Sequence, residues 1–413
     1  MNVVYERCCG IDVHKQTVVA CAIVPGAAGE VRKETRTFGT LTTDLEALAN
    51  WLAGLGITHV TMESTGVYWK PVFNLLDGRF AILVVNAEHV KAIAGRKTDV
   101  QDAEWLADLL QHGLLKGSFI PSPVLRELRD LTRYRTKLGD ERKSEVNRVQ
   151  KVLEDANIKL ASVASDVMGA SGRAILAELV QGETDASLLA GLAKGRLRDK
   201  QDLLQQALQG RVRPHHRFLL AQHLSHIDFL DEAIRQLDRQ IEEQMRPFMA
   251  ALATWDELPG INQRLAEIIV AEVGPDLTPF ADADQLAAWA GMCPGNNTSG
   301  GKRKSGKTRK GSPWLRRALI EAAHGAAHTK NKYFQALYRR LAARRGKQRA
   351  IVAVGHSLLV TGYYLITRHT TYQDLGGNYF DERDREAVKR RSVQRLERLG
   401  YKVELVPTLT AAA

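Results

Sequence analysis

The sequence predicts an α/β domain in the first quarter of the chain, followed by a mainly α-helical remainder. Over about the first 90 residues, short apolar and β-branched runs alternate with helical patterns. The middle of the chain contains two long stripes of apolar residues at three-to-four spacing, which is the period of a helix. With 413 residues the chain is too long for one ordinary domain, and roughly two or three are expected.

The N-terminal pattern predicts five short strands and two helices. A polar turn at residues 14–16 makes the first two strands a hairpin. The first helix has Thr43 or Asp44 as its expected N-cap, and a second helix-compatible stretch follows the fourth strand. The predicted strands are residues 8–13, 17–24, 36–41, 57–62 and 80–85, and the first helix is residues 44–55. Three strands, a helix, a strand, a helix and a strand is the order of an RNase H-like fold.

The two apolar stripes predict a helical arm. The first runs from Leu125 to Val152 and the second from Leu220 to Phe248. Because the second keeps a near-heptad repeat for about four heptads, it predicts a coiled coil or, equally well, the buried helix of a bundle. Residues 161–217, between the stripes, are short pieces punctuated by glycine and are predicted to be an insertion at the tip of the arm.

The C-terminal part changes character after the arm. The turn at residues 258–261, followed by an apolar helix to Gly274, resembles half of a helix-hairpin-helix, whose N–H groups point at a phosphate. A loop of Gly, Ser, Lys and Arg follows, and a helix opens at Pro313, a residue suited to the first helical turn. The predicted domains are residues 1–124, the arm at 125–250, a mainly α-helical domain at 251–345, and a basic helical extension at 346–413.

The charge of the chain indicates a polyanionic partner. Lys and Arg outnumber Asp and Glu by 58 to 47, which gives a net charge of +11. Nucleic acid is the commonest partner of such a chain. Residues 299–320 contain no acid, and a block of this kind needs a counter-polyanion or solvent to screen it. Its cations are Lys302, Arg303, Lys304, Lys307, Arg309, Lys310, Arg316 and Arg317.

The cysteines and the apolar runs indicate an intracellular protein. Four cysteines show no CxxC spacing and no disulfide framework, which is typical of a reducing cytoplasm. The longest apolar runs, such as residues 81–85, have the length of a strand, so neither a signal peptide nor a membrane span is expected.

Four carboxylates are the candidate metal ligands. Asp12 lies inside the first predicted strand, where a charge is costly unless it is paired or binds a cation. Glu63 ends another strand, while Asp99 and Asp102 share one helix face at i,i+3 spacing. If the fold gathers them, Mg²⁺ would relieve their repulsion, and two such ions could clamp the oxygens of a phosphoryl transfer. Alone, a strand-end Glu or a helical DxxD is usually a cap or a solvated face, and His14 is predicted to be a turn residue only.

These motifs resemble the DEDD transposases of the IS110 family, and most of all its IS1111 subgroup. The similar segments are GIDVHK around Asp12, MESTGVYW around Glu63, and GRKTDVQDAEWLA around Asp99 and Asp102. Downstream, LPGI, LAAWAGMCPGNNTSGGKR and KGSPWLRRAL resemble the second domain of that family. The resemblance spans nearly the whole chain in the right order. It implies a RuvC-like first domain, a helical arm and a serine-bearing transposase domain.

The resemblance also implies partners and a nucleophile. The partners would be double-stranded donor and target DNA and a structured non-coding guide RNA (bridge RNA or seekRNA). The two apolar stripes suggest further copies of the chain as partners, as a dimer or as a tetramer on DNA, joined through the arm formed by residues 125–160 and 218–248. The implied nucleophile is Ser299 in TSGGK, because glycines allow close approach to a phosphate and the adjacent cations could stabilise a phosphorane. A serine among glycines is otherwise most often a linker, and Ser305 is a weaker candidate. No base lies nearby in sequence, so the RuvC-like site would have to complete the chemistry.

Three other functions fit parts of the sequence. A metal-dependent Holliday-junction-type endonuclease would use the carboxylates without a covalent serine intermediate. A sugar-kinase or actin-like ATPase would use GIDVH as a phosphate-binding strand, but needs a second Gly-rich adenosine motif that is not evident. A non-catalytic nucleic-acid-binding scaffold leaves the four acids unexplained. An Mg²⁺-dependent transposase is therefore the leading hypothesis.

Overall fold

The computed structural model describes most of the chain. The described residues are 2–26, 30–64, 66–86, 99–295, 297–299, 302–305, 307–308 and 310–406. They form two compact units, Met1–Ile120 and Pro121–Ala413. The first is a mixed five-stranded sheet with helices, and the second is mostly helical.

The first unit contains the five predicted strands in an order compatible with an RNase H-like fold. The strands lie side by side in the order β3-β2-β1-β4-β5. Strand β2 is antiparallel to β1 and β3, whereas β1, β4 and β5 are parallel. The elements are β1 (Cys8–Val13), β2 (Thr17–Pro25), β3 (Val31–Gly39), α1 (Thr42–Gly54), β4 (His59–Glu63), α2 (Trp69–Leu76), β5 (Ala81–Val85) and α3 (Asp99–Gln111).

Two details of the predicted elements were wrong. Strand β3 begins at Val31, five positions before the predicted start, because pairing with β2 extends through polar, exposed residues that lack an apolar alternation. Helix α1 has Leu41 as its N-cap, with no side-chain cap hydrogen bond, so neither Thr43 nor Asp44 caps it. The start of β3 is therefore set by its pairing with β2 and not by the local sequence pattern.

The two faces of the sheet are covered by different helices. Cys9, Ile11 and Val13 pack into the core formed with α1 and α2. Because side chains alternate along a strand, Cys8, Gly10 and Asp12 face the other side, where Cys8 joins a second core with α3. Burial raises the pKa of the Cys8 thiol to about 12, so this cysteine stays neutral inside the core.

Helix α3 lies directly on the backbone of β1 at Gly10. A Cβ atom on Gly10 would be 2.2 Å from the carbonyl oxygen of Ala103 and 2.4 Å from the amide nitrogen of Ala107. The helix runs antiparallel to β1, because the backbone amides of Val4 and Tyr5 donate to the carbonyl of Gln111 at its far end. The first turn of α3 therefore lies at the carboxyl end of β1.

The second unit begins with the helical arm. Helices α4 (Pro123–Asp155) and α9 (Pro214–Met245) pair antiparallel along their length. Arg135 contacts Asp238 while Arg142 contacts Asp231, so the sequence numbers run in opposite directions. Between them lie α5 (Leu160–Val163), α6 (Ala170–Gln181), α7 (Ala186–Gly191) and α8 (Gln201–Ala207), which share a core with the ends of both long helices.

The apolar stripes of the arm are used within the chain. Leu138 of the first helix packs with Leu230 and Ile234 of the second, and Leu237 lies against the same cluster. Of the two readings of the stripes, the structure bears out the helix pair buried within one chain. The coiled coil, the other interpretation of the stripes, stays a prediction.

The remaining elements form a helical domain with a small hairpin. They are α10 (Met249–Asp256), α11 (Gln263–Val273), α12 (Ala283–Trp289), β6 (Asn297–Ser299), β7 (Lys302–Ser305), α13 (Pro313–His328), α14 (Tyr333–Arg345), α15 (Lys347–Arg368), α16 (Tyr379–Arg383) and α17 (Arg385–Arg398). Two short 3₁₀ turns also occur, one before α8 and one after α9.

Helix α15 is the central helix of this domain. By length and composition it could span a membrane, a feature the sequence reading passed over, but half of its most apolar window is buried inside the fold. A Cβ atom on Gly362 would be 2.0 Å from the ring of Trp255, and one on Gly355 would be 2.8 Å from the terminal methyl of Met292. The apolar face of α15 therefore packs against its own chain.

The turn at residues 258–261 has a packing role. Gly260 has a φ of +85°, and a Cβ atom there would lie 2.2 Å from the carbonyl oxygen of Ala322 in α13. Gly325 of the same helix faces it, while Leu258 and Ile261 are buried on either side. Gly260 therefore serves the packing of this turn against α13, and the phosphate contact expected at the turn stays a prediction.

We expect Gly10→Ala to destabilise the protein by at least about 1–3 kcal/mol, the usual cost of overpacking, because both atoms in the way belong to the backbone of α3. The matched control is Gly54→Ala at the end of α1, where an added Cβ meets nothing within 4 Å. That substitution should stabilise by about 0.4–1 kcal/mol through the unfolded chain. Denaturant unfolding of the three proteins measures both effects. Equal stability of the two variants would show that α3 does not lie on β1.

Candidate active site and nucleic-acid interface

Asp12 and Glu63 leave neighbouring strands at the same edge of the sheet. The parallel register of β1 and β4 pairs Ile11 with Met62, so the next residue of each strand is Asp12 and Glu63. Adjacent strands lie about 4.8 Å apart, and paired positions face the same side. Both residues are therefore on the face that α3 covers.

The first turn of α3 reaches the same edge. Asp102 is half-buried and precedes Ala103, whose carbonyl lies over Gly10. Asp99 is the first residue of α3, but its side chain lies outside the described residues, as do Lys97 and Thr98 before it. The fold thus brings Asp12, Glu63 and Asp102 to one end of the sheet, with the backbone of Asp99 beside them.

His14, which was predicted to be a turn residue only, is also a neighbour of Asp12. It lies in the β1–β2 turn as predicted, where its backbone amide donates to the carbonyl of Thr17. Its Nε2 atom is 3.0 Å from Oδ2 of Asp12, whose side chain is 17% exposed. The two-residue spacing in GIDVH was the available signal, because residues i and i+2 of a strand face the same side.

The donor set at this edge fits a hard divalent cation. Its described members offer carboxylate oxygens, which are the ligands that Mg²⁺ prefers. Asp12, Glu63 and Asp102 would be ligands here, together with Asp99 if its side chain points to the same edge.

A second group of possible ligands does not fit a metal. Within the described part of the chain, Asp155, His215 and His216 have ligand atoms that all lie within 4.8 Å of one another. However, Nδ1 of His216 accepts a hydrogen bond from the backbone amide of Arg213, and Nε2 lies 2.7 Å from Asp155. A ring that accepts at Nδ1 has its proton on Nε2, so His216 has no lone pair left for a metal.

The predicted nucleophile lies at the end of a two-stranded hairpin. Strands β6 and β7 are antiparallel, and Ser299 pairs with Lys302 across the turn. The hairpin is closed at its base by the backbone bond from Gly295 to Lys307 and by a bridge between Pro294 and Thr308. The structure describes these two strands by backbone alone, so it locates Ser299 but not its hydroxyl group.

The base of the hairpin is held by close backbone contacts and by Arg316. A Cβ atom on Gly311 would be 2.2 Å from the amide nitrogen of Gly291. The segment that leads into the hairpin and the segment that follows it are therefore in direct backbone contact. The guanidinium of Arg316 donates to the carbonyl of Gly291 and, at 2.9 Å, to the hydroxyl of Thr308. Arg316, which the sequence suggested as a nucleic-acid contact, thus has its partners inside the chain.

The other predicted nucleic-acid contacts differ in their surroundings. Lys307 and Lys310 are exposed near the base of the hairpin. Arg317 forms two hydrogen bonds with Asp140 of α4, and these bonds hold the pKa of that carboxyl below its ordinary value. Lys302, Arg303 and Lys304 form β7, while Arg309 lies outside the described residues.

Glu272 connects the arm to the segment after the hairpin, and the sequence reading did not single it out. Its carboxylate is 1% exposed and accepts two hydrogen bonds from Arg133 of α4, at 2.7 and 2.9 Å. It also accepts from the hydroxyl of Ser312 at 3.0 Å. Ser312 in turn caps α13 by accepting from the amide of Leu315. The available signal was an acid inside the apolar run of α11, where an unpaired charge is costly.

Helix α4 contacts both elements that flank the hairpin. The guanidinium of Arg129 lies 5.7 Å from the ring centre of Trp289, at the end of α12, and that of Arg133 lies 5.8 Å from the ring of Trp314, at the start of α13. Arg129 also donates to the carbonyls of Ala271 and Glu272. Burial lowers the pKa of Arg129 to about 10. The arm therefore packs directly against α12 and α13, the two helices that flank the hairpin.

Comparison with known proteins identifies the class. Residues 9–158 match a family model for DEDD transposases of the IS110 type, described as "Transposase". Residues 253–339 match a second one, described as "Transposase IS116/IS110/IS902 family". The first match contains the carboxylate edge and the second contains the serine hairpin. The protein is thus an enzyme that acts on DNA, and the first match implies dependence on a divalent metal.

The family follows from the same matches and from three relatives. The chain is 23% identical over 325 residues to "Probable family 20 transposase" of Pseudomonas aeruginosa, covering 76% of this chain and 85% of the relative. It is 24% identical over 334 residues to "Transposase for insertion sequence element IS1111A" of Coxiella burnetii, covering 78% and 81%. It is 28% identical over 270 residues to "Insertion element IS116 uncharacterized 44.8 kDa protein" of Streptomyces clavuligerus, covering 57% and 65%. The chain belongs to the IS110/IS116/IS902 family of insertion-sequence transposases.

We expect Glu272→Gln to lower the free energy of unfolding by about 3–5 kcal/mol, because it leaves Arg133 and Arg129 buried without their carboxylate. The control is Glu242→Gln on the exposed face of α9, which should change stability by less than about 0.5 kcal/mol. Denaturant unfolding of the full chain measures both. A Glu272→Gln protein as stable as the control would mean that the two buried arginines do not depend on this carboxylate.

Proposed function

We propose that this transposase moves an insertion sequence by RNA-guided, site-specific strand exchange through a covalent phosphoserine–DNA intermediate. The observation that supports the serine step is the position of Ser299. It lies at the end of a basic hairpin whose base is closed by backbone contacts and by Arg316. A nucleophile at the tip of a firmly based hairpin can be presented to a DNA strand while its supporting residues stay in place.

In the proposed reaction, the hydroxyl oxygen of Ser299 attacks a DNA phosphorus atom. An oxygen–phosphorus bond to serine forms, the bond to a DNA sugar oxygen breaks, and that oxygen takes up a proton while serine loses one. A hydroxyl from the partner strand then attacks the phosphoserine and releases Ser299 with its proton restored. Each step exchanges one phosphoester bond for another, so rejoining needs no ATP. A hydrolytic nuclease cannot rejoin in this way.

The carboxylates are proposed to hold Mg²⁺ at the sheet edge. Asp12, Glu63, Asp99 and Asp102 would be its ligands, and the ion would supply charge neutralisation at the reacting phosphate. His14 would orient the Asp12 carboxylate, since its Nε2 is already 3.0 Å from it. The packing of α3 on Gly10 would keep the ligands of the helix at the level of those of the strands.

The cations of the hairpin region are proposed to bind the DNA backbone. Phosphate contacts from Lys and Arg position a protein on DNA without reading its sequence. Arg316 and Arg317 have partners within the chain, so we propose that they frame this surface and contribute less to binding. The proposed phosphate contacts are Lys302, Arg303, Lys304, Lys307, Arg309 and Lys310.

The guide RNA and the assembly are further parts of the proposal. A structured non-coding RNA would select donor and target duplexes, and two or four copies of the chain would hold them in the bacterial cytoplasm. Cys8, Cys9 and Cys21 are buried free thiols, which is consistent with a reducing compartment. Because Ile234 and Leu138 pack within the chain, subunit contacts would have to use other surfaces.

A Holliday-junction-type endonuclease without a covalent intermediate is the second candidate. The observation in its favour is that the first unit alone contains Asp12, Glu63 and Asp102 at one edge. Metal-dependent hydrolysis needs no serine, so the two candidates differ in whether protein becomes joined to DNA.

Ser299→Ala should bind DNA as the unaltered protein does but form no covalent adduct and no recombinant product. The matched control is Ser305→Ala in the facing strand of the hairpin, which should retain both activities. Denaturing gel electrophoresis of labelled DNA with the protein, before and after protease digestion, measures the adduct. Adduct formation by Ser299→Ala would exclude this serine. Cleavage by both variants without any adduct would favour the endonuclease.

Asp12→Asn and Glu63→Gln should each abolish strand transfer while leaving the protein folded, because they remove a metal ligand and little packing. In the unaltered protein, Mg²⁺ at 100 times its dissociation constant should add about 2.7 kcal/mol of stability. Both variants should lose that increment. Asp108→Asn, a carboxylate of α3 that pairs with Lys33 away from the edge, is the control and should keep it. Full strand transfer by Asp12→Asn in saturating Mg²⁺ would contradict the proposed site.

A further inference from the structure

The junction of α14 and α15 is a compact cluster of exposed cations outside both family matches. The second match ends at residue 339, and α14 continues to Arg345. A single residue, Gly346 with a φ of +84°, connects it to α15 at Lys347. Arg344, Arg345, Lys347 and Arg349 are all exposed, and these four residues are called the basic corner.

The basic corner lacks a neutralising acid. Residues 322–373 contain no Asp or Glu. The neighbouring Arg340 reaches Asp384 at 3.6 Å and lies over the ring of Phe380, so it belongs to the contact with α16. None of the four residues of the corner has an ion-pair partner within the part of the chain that the structure describes. Four like charges this close repel one another, and a polyanion would relieve that repulsion.

The corner is rigidly connected to the serine hairpin. It opens α15, whose Gly355 lies against Met292, a residue at the entry to the hairpin base. Lys347 and Gly355 are eight positions apart in one helix, which corresponds to about 12 Å at 1.5 Å per residue. On B-DNA that distance is about three to four base pairs. Because α15 is a buried core helix, the spacing does not depend on a mobile linker.

We infer that the basic corner binds the phosphate backbone of duplex DNA that flanks the strand presented to the serine hairpin. Its side chains are Arg and Lys, which hold phosphates without reading bases. Duplex DNA is the occupant because the protein acts on DNA and because α15, which begins at the corner, contacts Met292 at the entry to the hairpin base. The inference needs DNA as the substrate, but it does not need the serine chemistry.

The test is the salt dependence of binding to a duplex of about 30 base pairs without element sequences. Each phosphate contact contributes about 0.9 to the slope of log affinity against log salt. The full chain with Arg344→Ala and Arg345→Ala should therefore lose about 1.8 from that slope, measured by fluorescence anisotropy. Arg344→Lys with Arg345→Lys should keep the slope, since the charges remain. A protein with Lys302→Ala, Arg303→Ala and Lys304→Ala should also lose part of this slope, and the size of that loss should not depend on whether the corner is intact.

The matched control removes two exposed arginines that already have an acidic partner. Arg235→Ala with Arg239→Ala changes the net charge equally, but both residues contact Glu232 on α9, so the slope should stay nearly unchanged. An equal loss in this control, or an unchanged slope in the corner variant, would overturn the inference. The inference would also be overturned if the corner variant lost slope with single-stranded RNA of the same length but not with the duplex DNA. Repeating the series in Ser299→Ala should give the same slopes, which separates corner binding from the serine reaction.

Discussion

The contact between the backbone of α3 and Gly10 is the constraint on which the carboxylate edge depends. Because no side chain separates the helix from the strand at this point, the backbone contact fixes the distance between α3 and the sheet. Its antiparallel course then brings its first turn to the end of β1. The parallel register of β1 and β4 places Asp12 beside Glu63 at that same end. A glycine with no chemistry of its own therefore determines where acids from three separate segments meet.

In the second unit, a buried carboxylate fixes the position of the serine hairpin. The serine hairpin has a glycine-rich sequence and little apolar surface, so it cannot fix its own position. Glu272, whose side chain is 1% exposed, compensates by accepting hydrogen bonds from Arg133 on one side and from Ser312 on the other. Breaking such a network is costly because every remaining partner becomes a buried, unpaired group. Directional contacts of this kind set the entry and exit of the hairpin, which non-directional apolar packing would not do.

The sequence predicted the features that depend on local pattern and missed those that depend on a distant partner. The succession of strands and helices along the chain and the β1–β2 hairpin follow from runs of apolar residues with polar turns between them, and these predictions were confirmed. The start of β3 was wrong because pairing with β2 decides it, whereas the cap of α1 lies at Leu41, which makes no side-chain cap hydrogen bond. The roles of Arg316 and Glu272 could not be predicted, since their partners lie 25 and 139 positions away. The positions of Asp12 and Glu63 in their strands were predictable, whereas the register that makes them neighbours was not.

The distribution of acids, more than the number of cations, separates structural from DNA-facing arginines in this protein. Arg133 of α4 pairs with Glu272 of α11, and Arg317 of α13 pairs with Asp140 of α4. These two arginines therefore hold α4 against the helices around the hairpin. The residues of the basic corner lie in a stretch without acids, so their field extends into solvent. A net charge of +11 counts both kinds equally and does not reveal which arginines a phosphate backbone can reach. The carboxylate of Glu272 is almost fully buried beside Arg133, and a phosphate gains little by competing for such a carboxylate because it has already lost its water. An unpaired exposed cation instead releases counterions on binding, and such cations therefore account for most of the salt-dependent affinity of a protein for DNA.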